Sequence, residues 1–176
     1  MRILVGHASA HGSTAEIAQR IADVLRGEGR SVDVGPVGQI GGPGGYDAVV
    51  LGSAVHSQAW LPEATEFVHR HRDELVSRPV WLFSVGMSAA LPRAVRGAAR
   101  AGQNRRLAEV LRDVVRPRGH LLVSGATRAS DFPPWVSLLF RGVGAHFGDH
   151  RDWAEIEAWA RQIAQELDAR SVAGGP

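Results

Sequence analysis

The feature that most constrains this fold lies at the start of the sequence. A short apolar strand is followed by a loop of small polar residues, and the loop leads into a helix. The chain begins M-R-I-L-V-G-H-A-S-A-H-G-S-T. Ile3, Leu4 and Val5 form a continuous apolar run, which is typical of a strand buried on both faces. Apolar residues then recur at helical spacing from Ile17 to Leu25. This pattern predicts the first unit of an α/β fold.

The loop between that strand and that helix has the composition of a phosphate site. The first turn of a helix offers free backbone N–H groups and a partial positive charge, so it favours an anion without any Lys or Arg. Ser9, Ser13 and Thr14 add hydroxyl groups, and Gly12 lets the backbone approach a ligand. Ser13 and Glu16 also form an S-x-x-E capping box, so capping of the helix is an alternative role for Ser13.

Two common phosphate loops are excluded by the residues present. A G-x-G-x-x-G fingerprint is absent, because Gly6 and Gly12 are the only glycines near the turn. A P-loop requires Lys, and the chain contains none. The chain also has no Cys, so disulfides, thiolate catalysis and Cys-ligated metal sites are excluded. What remains is a mononucleotide site built from backbone and hydroxyl groups, with any redox chemistry supplied by a bound cofactor.

The rest of the chain alternates strands with helices. Apolar runs bounded by turn residues predict strands at 2–6, 31–34, 47–52, 79–85 and 119–125. Helices with one apolar face are predicted at 61–76, 104–116 and from Asp152 to Leu167, whereas the Gly- and Pro-rich residues 35–45 predict a loop. We therefore expect one domain over residues 1–170, a doubly wound five-stranded parallel sheet with helices on both faces, and a disordered tail at 171–176.

Ligands of doubly wound sheets bind at the carboxyl ends of the strands, where the strand order reverses. Three loops are predicted to converge on that edge, at 6–14, 53–61 and 85–103. The binding site is expected there. Farther along the chain, Asp149, Arg151 and Asp152 are interpreted as ordering the start of the last helix, and no metal site is expected.

The motifs beside these loops resemble those of flavodoxin-fold proteins. The segment S-A-H-G-S-T at 9–14 is similar to the flavodoxin phosphate loop T-G-T-G-x-T, and Y-D-A-V-V-L-G-S-A-V-H at 46–56 resembles the third strand and its flavin-flanking loop. W-L-P-E-A at 60–64 and G-D-H-R-D-W at 148–153 resemble the flavodoxin-domain branch that includes menaquinone-dependent protoporphyrinogen oxidases. The chain departs from the pattern at Ala10 and His11, which replace a Gly and a Thr or similar residue.

This resemblance implies FMN as the cofactor. The phosphate would lie on the first loop, at Ser9, Ala10, His11, Gly12, Ser13 and Thr14. The ring would lie among Ser53, Ala54, Val55, His56, Trp60, Ser84, Val85, Gly86 and Met87. Trp60 is a candidate for stacking on the ring, with packing at the start of its helix as the alternative. No catalytic residue is assigned.

The resemblance implies an oxidoreductase, and two functions stay open. One is an enzyme that oxidises an anionic, protoporphyrinogen-like substrate with quinone as acceptor; the other is a non-catalytic FMN electron carrier that serves a redox partner. Five arginines either clamp an anionic substrate or form a solvated helix face: Arg93, Arg96, Arg100, Arg105 and Arg106. A cofactor-free interaction domain is a third class.

The apolar segment F-P-P-W-V-S-L-L-F at 132–140 has several possible roles. It can cover the sheet edge, close over the flavin, form a homodimer contact or touch a membrane surface peripherally. A cytoplasmic location is expected, because the sequence shows no signal peptide and no apolar run of about 20 residues. The net charge of +2 is too small to imply nucleic acid, and no nucleic-acid partner is expected.

Overall fold

Parallel strands form the centre of the fold. The computed structural model describes residues 1–56, 59–86, 114–127, 148–149 and 151–173. The strands in these ranges are β1 (Arg2–Ala8), β2 (Ser31–Pro36), β3 (Ala48–His56), β4 (Ala59–Trp60), β5 (Val80–Gly86), β6 (Gly119–Ser124), β7 (Ala126–Thr127) and β8 (Gly148–Asp149). The helices are α1 (Ser13–Gly27), α2 (Pro62–Arg70), α3 (Arg72–Val76) and α4 (Trp153–Ala173), with a 3₁₀ turn at Val37–Gln39.

The main sheet has the strand order β2-β1-β3-β5-β6, and all four of these pairings are parallel. The short strand β4 folds back antiparallel on the end of β3. The predicted α/β class and five-stranded parallel sheet are confirmed. Because β2 and β3 lie on opposite sides of β1, the strand order reverses at β1. Doubly wound sheets bind their ligands at the carboxyl end of such a point.

The sheet is apolar along most of its length because both of its faces are covered. Successive side chains of a strand point to opposite faces. Ile3 and Val5 therefore join a core with α1 and α4, whereas Leu4 joins the core on the other face with α2 and α3. Burial of each such side chain stabilises the fold by about 1.5–3 kcal/mol. Periodicity alone predicted these strands, although β1 and β3 extend two and four residues beyond the predicted ends at 6 and 52.

The helix predicted at 61–76 is two helices, α2 and α3, interrupted at His71. The backbone of His71 leaves helical geometry at φ −107°, and its ring packs 4.7 Å from that of Phe67. Its Nδ1 lies 2.9 Å from Glu74 Oε1, and its ring lies against Gly42, where an added Cβ would approach Cε1 to 2.7 Å. This packing draws the His71 side chain inward, so that only 14% of it is exposed.

Three other helical predictions have different outcomes. Asp152 caps α4 as predicted, since its Oδ1 accepts a hydrogen bond from the N–H of Glu155 at 3.0 Å. The tail predicted from Ser171 is helical as far as Ala173, because the sequence provides no helix breaker before Gly174. The helix predicted at 104–116 lies mostly outside the described residues.

Within the described ranges, no helix combines the length and the apolar character needed to cross a membrane.

Candidate functional site

The carboxyl ends of three strands meet side by side, as the sequence predicted. Ala8 of β1 pairs with Ser53 of β3, and Ser53 pairs with Ser84 of β5. On the other side of β5, Gly86 pairs with Ser124 of β6. The loop after β1 and the turn after β3 therefore begin at the same edge of the sheet, beside the end of β5.

The loop between β1 and α1 presents its backbone to solvent. Gly12 adopts the left-handed conformation, with φ 88° and ψ −24°, and its N–H donates to Ser9 Oγ at 3.0 Å. Helix α1 begins at Ser13, so no preceding helical turn provides carbonyl acceptors for the first N–H groups of the helix. Ala10, His11 and Gly12 are exposed. This arrangement offers backbone donors and a helix dipole to an anion.

The predicted capping box is wrong. Gly12 occupies the N-cap position, and no side chain caps α1. Because the helix begins one residue earlier than a Ser13 cap requires, Glu16 lies too far along the first turn to reach back to the cap. Its carboxylate accepts a hydrogen bond from Arg151 instead. Thr14 is buried, so its side chain contributes to packing at this end of α1.

His7 lies at the carboxyl end of β1, just before this loop. Its Nδ1 is buried and has no hydrogen-bond partner among the described residues. Burial lowers the pKa of His7 below its ordinary value of 6.5. An uncompensated polar atom beside a candidate binding loop suits a ligand group or an ordered water molecule.

We expect the pH dependence of stability to include a contribution from His7. The unfolded chain takes up a proton on this residue near pH 6.5, whereas the folded protein does so only at lower pH. Stability is therefore greatest above about pH 6.5 and decreases as the pH falls toward the lowered pKa. The measurement is urea unfolding of the apoprotein and of His7→Leu between pH 5 and 8. A difference in unfolding free energy between the two that does not change with pH contradicts this assignment.

The hydroxyl groups predicted beside the ring are used within the protein. Ser84 Oγ accepts a hydrogen bond from Trp60 Nε1 at 2.7 Å and lies 2.8 Å from His120 Nε2. Ser53 Oγ donates to the Ala54 carbonyl at 2.8 Å and accepts from the Leu61 N–H at 3.0 Å. Both serines are buried. Their hydroxyl groups fix the ends of β3 and β5.

Trp60 occupies the core instead of an open ring-binding face. It is 5% exposed and packs with the buried residues beneath α2, such as Ala64 and Phe67. The alternative role, packing at the start of its helix, is the one that the structure shows. The indole N–H donates to Ser84 Oγ of β5, and this hydrogen bond holds the ring inside the core.

Ser84→Ala is expected to lower the free energy of unfolding by about 1–3 kcal/mol, because it leaves the buried indole N–H of Trp60 without its acceptor. The measurement is a urea-denaturation cycle with Trp60→Phe, which removes the donor. Ser84→Ala should cost about 1 kcal/mol less in the Trp60→Phe background. Strict additivity of the two single changes would show that this bond contributes nothing.

The remaining ring-side predictions lie on the strand ends or outside the described residues. Ala54 and Val55 are half-buried and His56 is exposed, where β3 turns into β4. Val85 and Gly86 are buried at the end of β5. Met87, the arginines between residues 93 and 106, and the segment 132–140 lie outside the described residues.

Two features of this edge were not predicted as site features. Gly125 follows β6, and a Cβ added there would lie 2.8 Å from Ser13 Oγ and 2.9 Å from Val85 Cγ1, so a side chain here would have to displace these groups. The second feature is Arg151, whose guanidinium reaches α1, whereas the sequence suggested that it orders α4. The G-D-H-R-D-W motif was the available signal, but a motif does not indicate which distant helix its arginine contacts.

A shallow cleft on the flank of α1 is separate from the predicted phosphate loop. It encloses about 400 Å³ and is lined by Glu16, Gln19, Arg20, Asp23 and Trp153. None of the residues predicted to bind FMN lines it.

Comparison with known proteins agrees with this geometry. A family profile described as "Flavodoxin domain" matches residues 4–133. The protoporphyrinogen IX dehydrogenase (quinone) of Escherichia coli strain K12 is 26% identical over 181 residues, covering 96% of this chain and 97% of the relative. A flavodoxin from the domain Archaea superposes with a TM-score of 0.55 at 16% identity, covering 96% of this chain and 99% of the other. The flavodoxin of Streptococcus pneumonia TIGR4 gives a TM-score of 0.53 at 16% identity, with coverage of 97% and 99%.

Proposed function

Because this chain belongs to the flavodoxin domain family, we propose that it binds FMN at the carboxyl ends of β1, β3 and β5 and acts as an oxidoreductase. The observation that carries this proposal is the start of α1. There, Gly12 in its left-handed conformation leads into a helix whose first N–H groups have no intrahelical carbonyl partner, beside the point where the strand order reverses.

The residues present fit the phosphate of FMN. A Cβ added at Gly12 would meet no heavy atom within 4 Å, so the space above the loop is open. Backbone N–H groups and the macrodipole of α1 provide the attraction, which explains how a chain without Lys can hold a phosphate. In this proposal the phosphate binds to Ser9, Ala10, His11, Gly12, Ser13 and Thr14.

The ring is proposed to lie between the turn after β3 and the loop after β5. Ala54, Val55 and His56 would flank it on one side, and Val85, Gly86 and Met87 on the other. Ser53, Ser84 and Trp60 would act indirectly, because their hydrogen bonds hold the two strand ends in place. FMN supplies hydride or electron transfer through N5, which this chain without Cys does not provide by itself.

The finer proposal is an enzyme that oxidises an anionic, protoporphyrinogen-like substrate. Each two-electron step would remove two hydrogens from the substrate and reduce one quinone to quinol. The support is the Escherichia coli relative, whose name states that substrate and acceptor and which aligns over nearly its whole length. The arginines between residues 93 and 106 are the proposed substrate clamp, and 132–140 is the proposed membrane or dimer contact of a cytoplasmic protein.

The second candidate is a non-catalytic electron carrier. Its support is that the solved structures of similar fold include flavodoxins that align over almost their full length. A carrier would cycle only with a reductase and a partner enzyme. An enzyme would turn over porphyrinogen and quinone without a partner protein.

The experiment is an absorbance spectrum of the purified protein, repeated after FMN is added and the excess removed. Retained visible absorbance of the flavin is expected, on the order of one FMN per chain. Protein that remains colourless after this treatment would refute the proposal. Anaerobic turnover of protoporphyrinogen with a soluble quinone then separates the two candidates, because only an enzyme consumes both in the absence of a partner.

A further inference from the structure

We propose that Arg151 is a positioning residue for the phosphate of FMN: it neutralises Glu16 in the first turn of α1 and ties that turn to β8. This inference deepens the proposed FMN site and rests on it. Arg151 itself would not touch the cofactor. Its effect would pass through the helix whose first turn forms the anion site.

Arg151 is fixed on one side by Asp149 of β8. Its Nε lies 2.8 Å from Asp149 Oδ1, and its second terminal nitrogen lies 2.6 Å from Oδ2, which is a two-pronged contact. The backbone N–H of Arg151 also donates to Asp149 Oδ1 at 3.1 Å. The guanidinium is stacked 4.5 Å from the ring centre of Trp153. These contacts fix the direction in which the remaining guanidinium nitrogen points.

That remaining nitrogen donates to the carboxylate of Glu16. The Arg151 side chain is 8% exposed, whereas the Glu16 side chain is 51% exposed. The arginine is therefore the packed, fixed member of the pair, and Glu16 is the member that it holds. Because Glu16 is the fourth residue of α1, the pair anchors the turn that offers its N–H groups to an anion.

The charges explain why this contact matters for an anion. A carboxylate in the first turn of a helix stabilises the helix by interacting with its dipole, but it also repels a phosphate bound at the same end. Arg151 supplies a positive charge directly against that carboxylate. Without Arg151, the Glu16 carboxylate in this first turn would lose the cation that lies directly against it.

The contrast between FMN and riboflavin separates this role from a purely structural one. The two ligands share the ring and the ribityl chain, but riboflavin has no phosphate. Arg151→Gln is expected to weaken FMN binding about three- to tenfold, while the riboflavin affinity stays within about twofold of wild type. The measurement is titration of flavin fluorescence against the apoprotein at fixed low ionic strength.

The double variant Glu16→Gln/Arg151→Gln provides the reciprocal test. Removing the unpaired carboxylate should restore the FMN affinity to within about twofold of wild type. A matched control is Arg20→Gln, which removes a cation of α1 one turn farther on, where it pairs with Glu157 of α4 at 2.5 Å. This control is expected to leave the affinity for both flavins within about twofold of wild type.

Equal losses of FMN and riboflavin affinity in Arg151→Gln would overturn the inference, and so would an unchanged FMN affinity. If Arg151→Gln does not fold, Glu16→Gln alone decides the question: FMN affinity should rise about two- to threefold with riboflavin unchanged, and no rise contradicts the charge argument. Failure of the wild-type protein to bind FMN would instead refute the proposed function. The Glu16 N–H donates to the Gly12 carbonyl at 3.0 Å. Amide hydrogen exchange at Glu16 in the apoprotein, expected to be faster in Arg151→Gln, tests the anchoring without any flavin.

Discussion

Gly52→Ala is expected to lower the free energy of unfolding by at least about 3 kcal/mol, because its new methyl group has no space beneath the ring of Phe83. A Cβ at this position would lie 1.9 Å from Phe83 Cζ and 2.2 Å from both Cε atoms. Carbon atoms in contact are normally about 3.5–4.0 Å apart. Phe83 is fully buried against Trp159, so the ring has no room to move away.

Urea denaturation of the apoprotein measures this effect, with Gly35→Ala as the matched control. Gly35 also lies in a strand, but the nearest atom to its added Cβ is 3.9 Å away, so a change of less than about 1 kcal/mol is expected. In a Phe83→Leu background, which lacks the ring-tip atoms, Gly52→Ala should cost less than about 1 kcal/mol. If Gly52→Ala lowers the free energy of unfolding no more than Gly35→Ala does, the Phe83 ring does not lie against Gly52.

Gly12→Ala is expected to weaken FMN binding about five- to thirtyfold. The residue holds φ at 88°, and an L-residue pays about 1–2 kcal/mol to remain in the left-handed region. Space is not the obstacle, since no atom lies within 4 Å of the added Cβ. In the apoprotein the loop can relax away from the strained conformation, so the strain would have to be restored when the phosphate binds.

Gly29→Ala is the matched control for Gly12→Ala. Gly29 has φ 77° and equally open surroundings, but it lies between α1 and β2, at the opposite end of α1. Gly29→Ala should lower the free energy of unfolding by about 1–2 kcal/mol, because it also places an L-residue in the left-handed region. Its FMN affinity should remain within about twofold of wild type. Fluorescence titration with FMN, combined with urea denaturation, measures both quantities. Equal FMN affinities for the two variants would mean that the conformation of Gly12 is not required for binding.

The sequence predicted the sheet well because burial on both faces leaves a local signature. Continuous apolar runs placed β1, β3, β5 and β6 of the main sheet, and the side-chain oxygen of Asp152 marked the start of the last helix. The carboxyl-end loops followed from topology alone, since the ends of parallel strands share one edge. The S-A-H-G-S-T loop was recognisable because its chemistry lies within six consecutive residues.

Predictions that depended on where a side chain points were less successful. The sequence showed Ser13 and Glu16 at capping-box spacing, but Arg151, far away in the chain, takes the carboxylate. Trp60 stood in a loop suited to ring stacking, yet Ser84 on another strand accepts its N–H and draws the indole into the core. The interruption at His71 likewise depends on packing against Gly42, which helical periodicity does not encode.

The sequence by itself therefore determined the α/β class, the strands of the parallel sheet and the loop that we propose as the phosphate site. These properties depend on neighbouring residues, so hydrophobic periodicity and turn chemistry are sufficient to predict them. Tertiary structure alone decided which residues support that loop, namely Arg151 against Glu16 and Gly125 against Ser13. Such contacts join segments more than 100 residues apart, and their partners are selected by the packing of the whole fold, which no local pattern records.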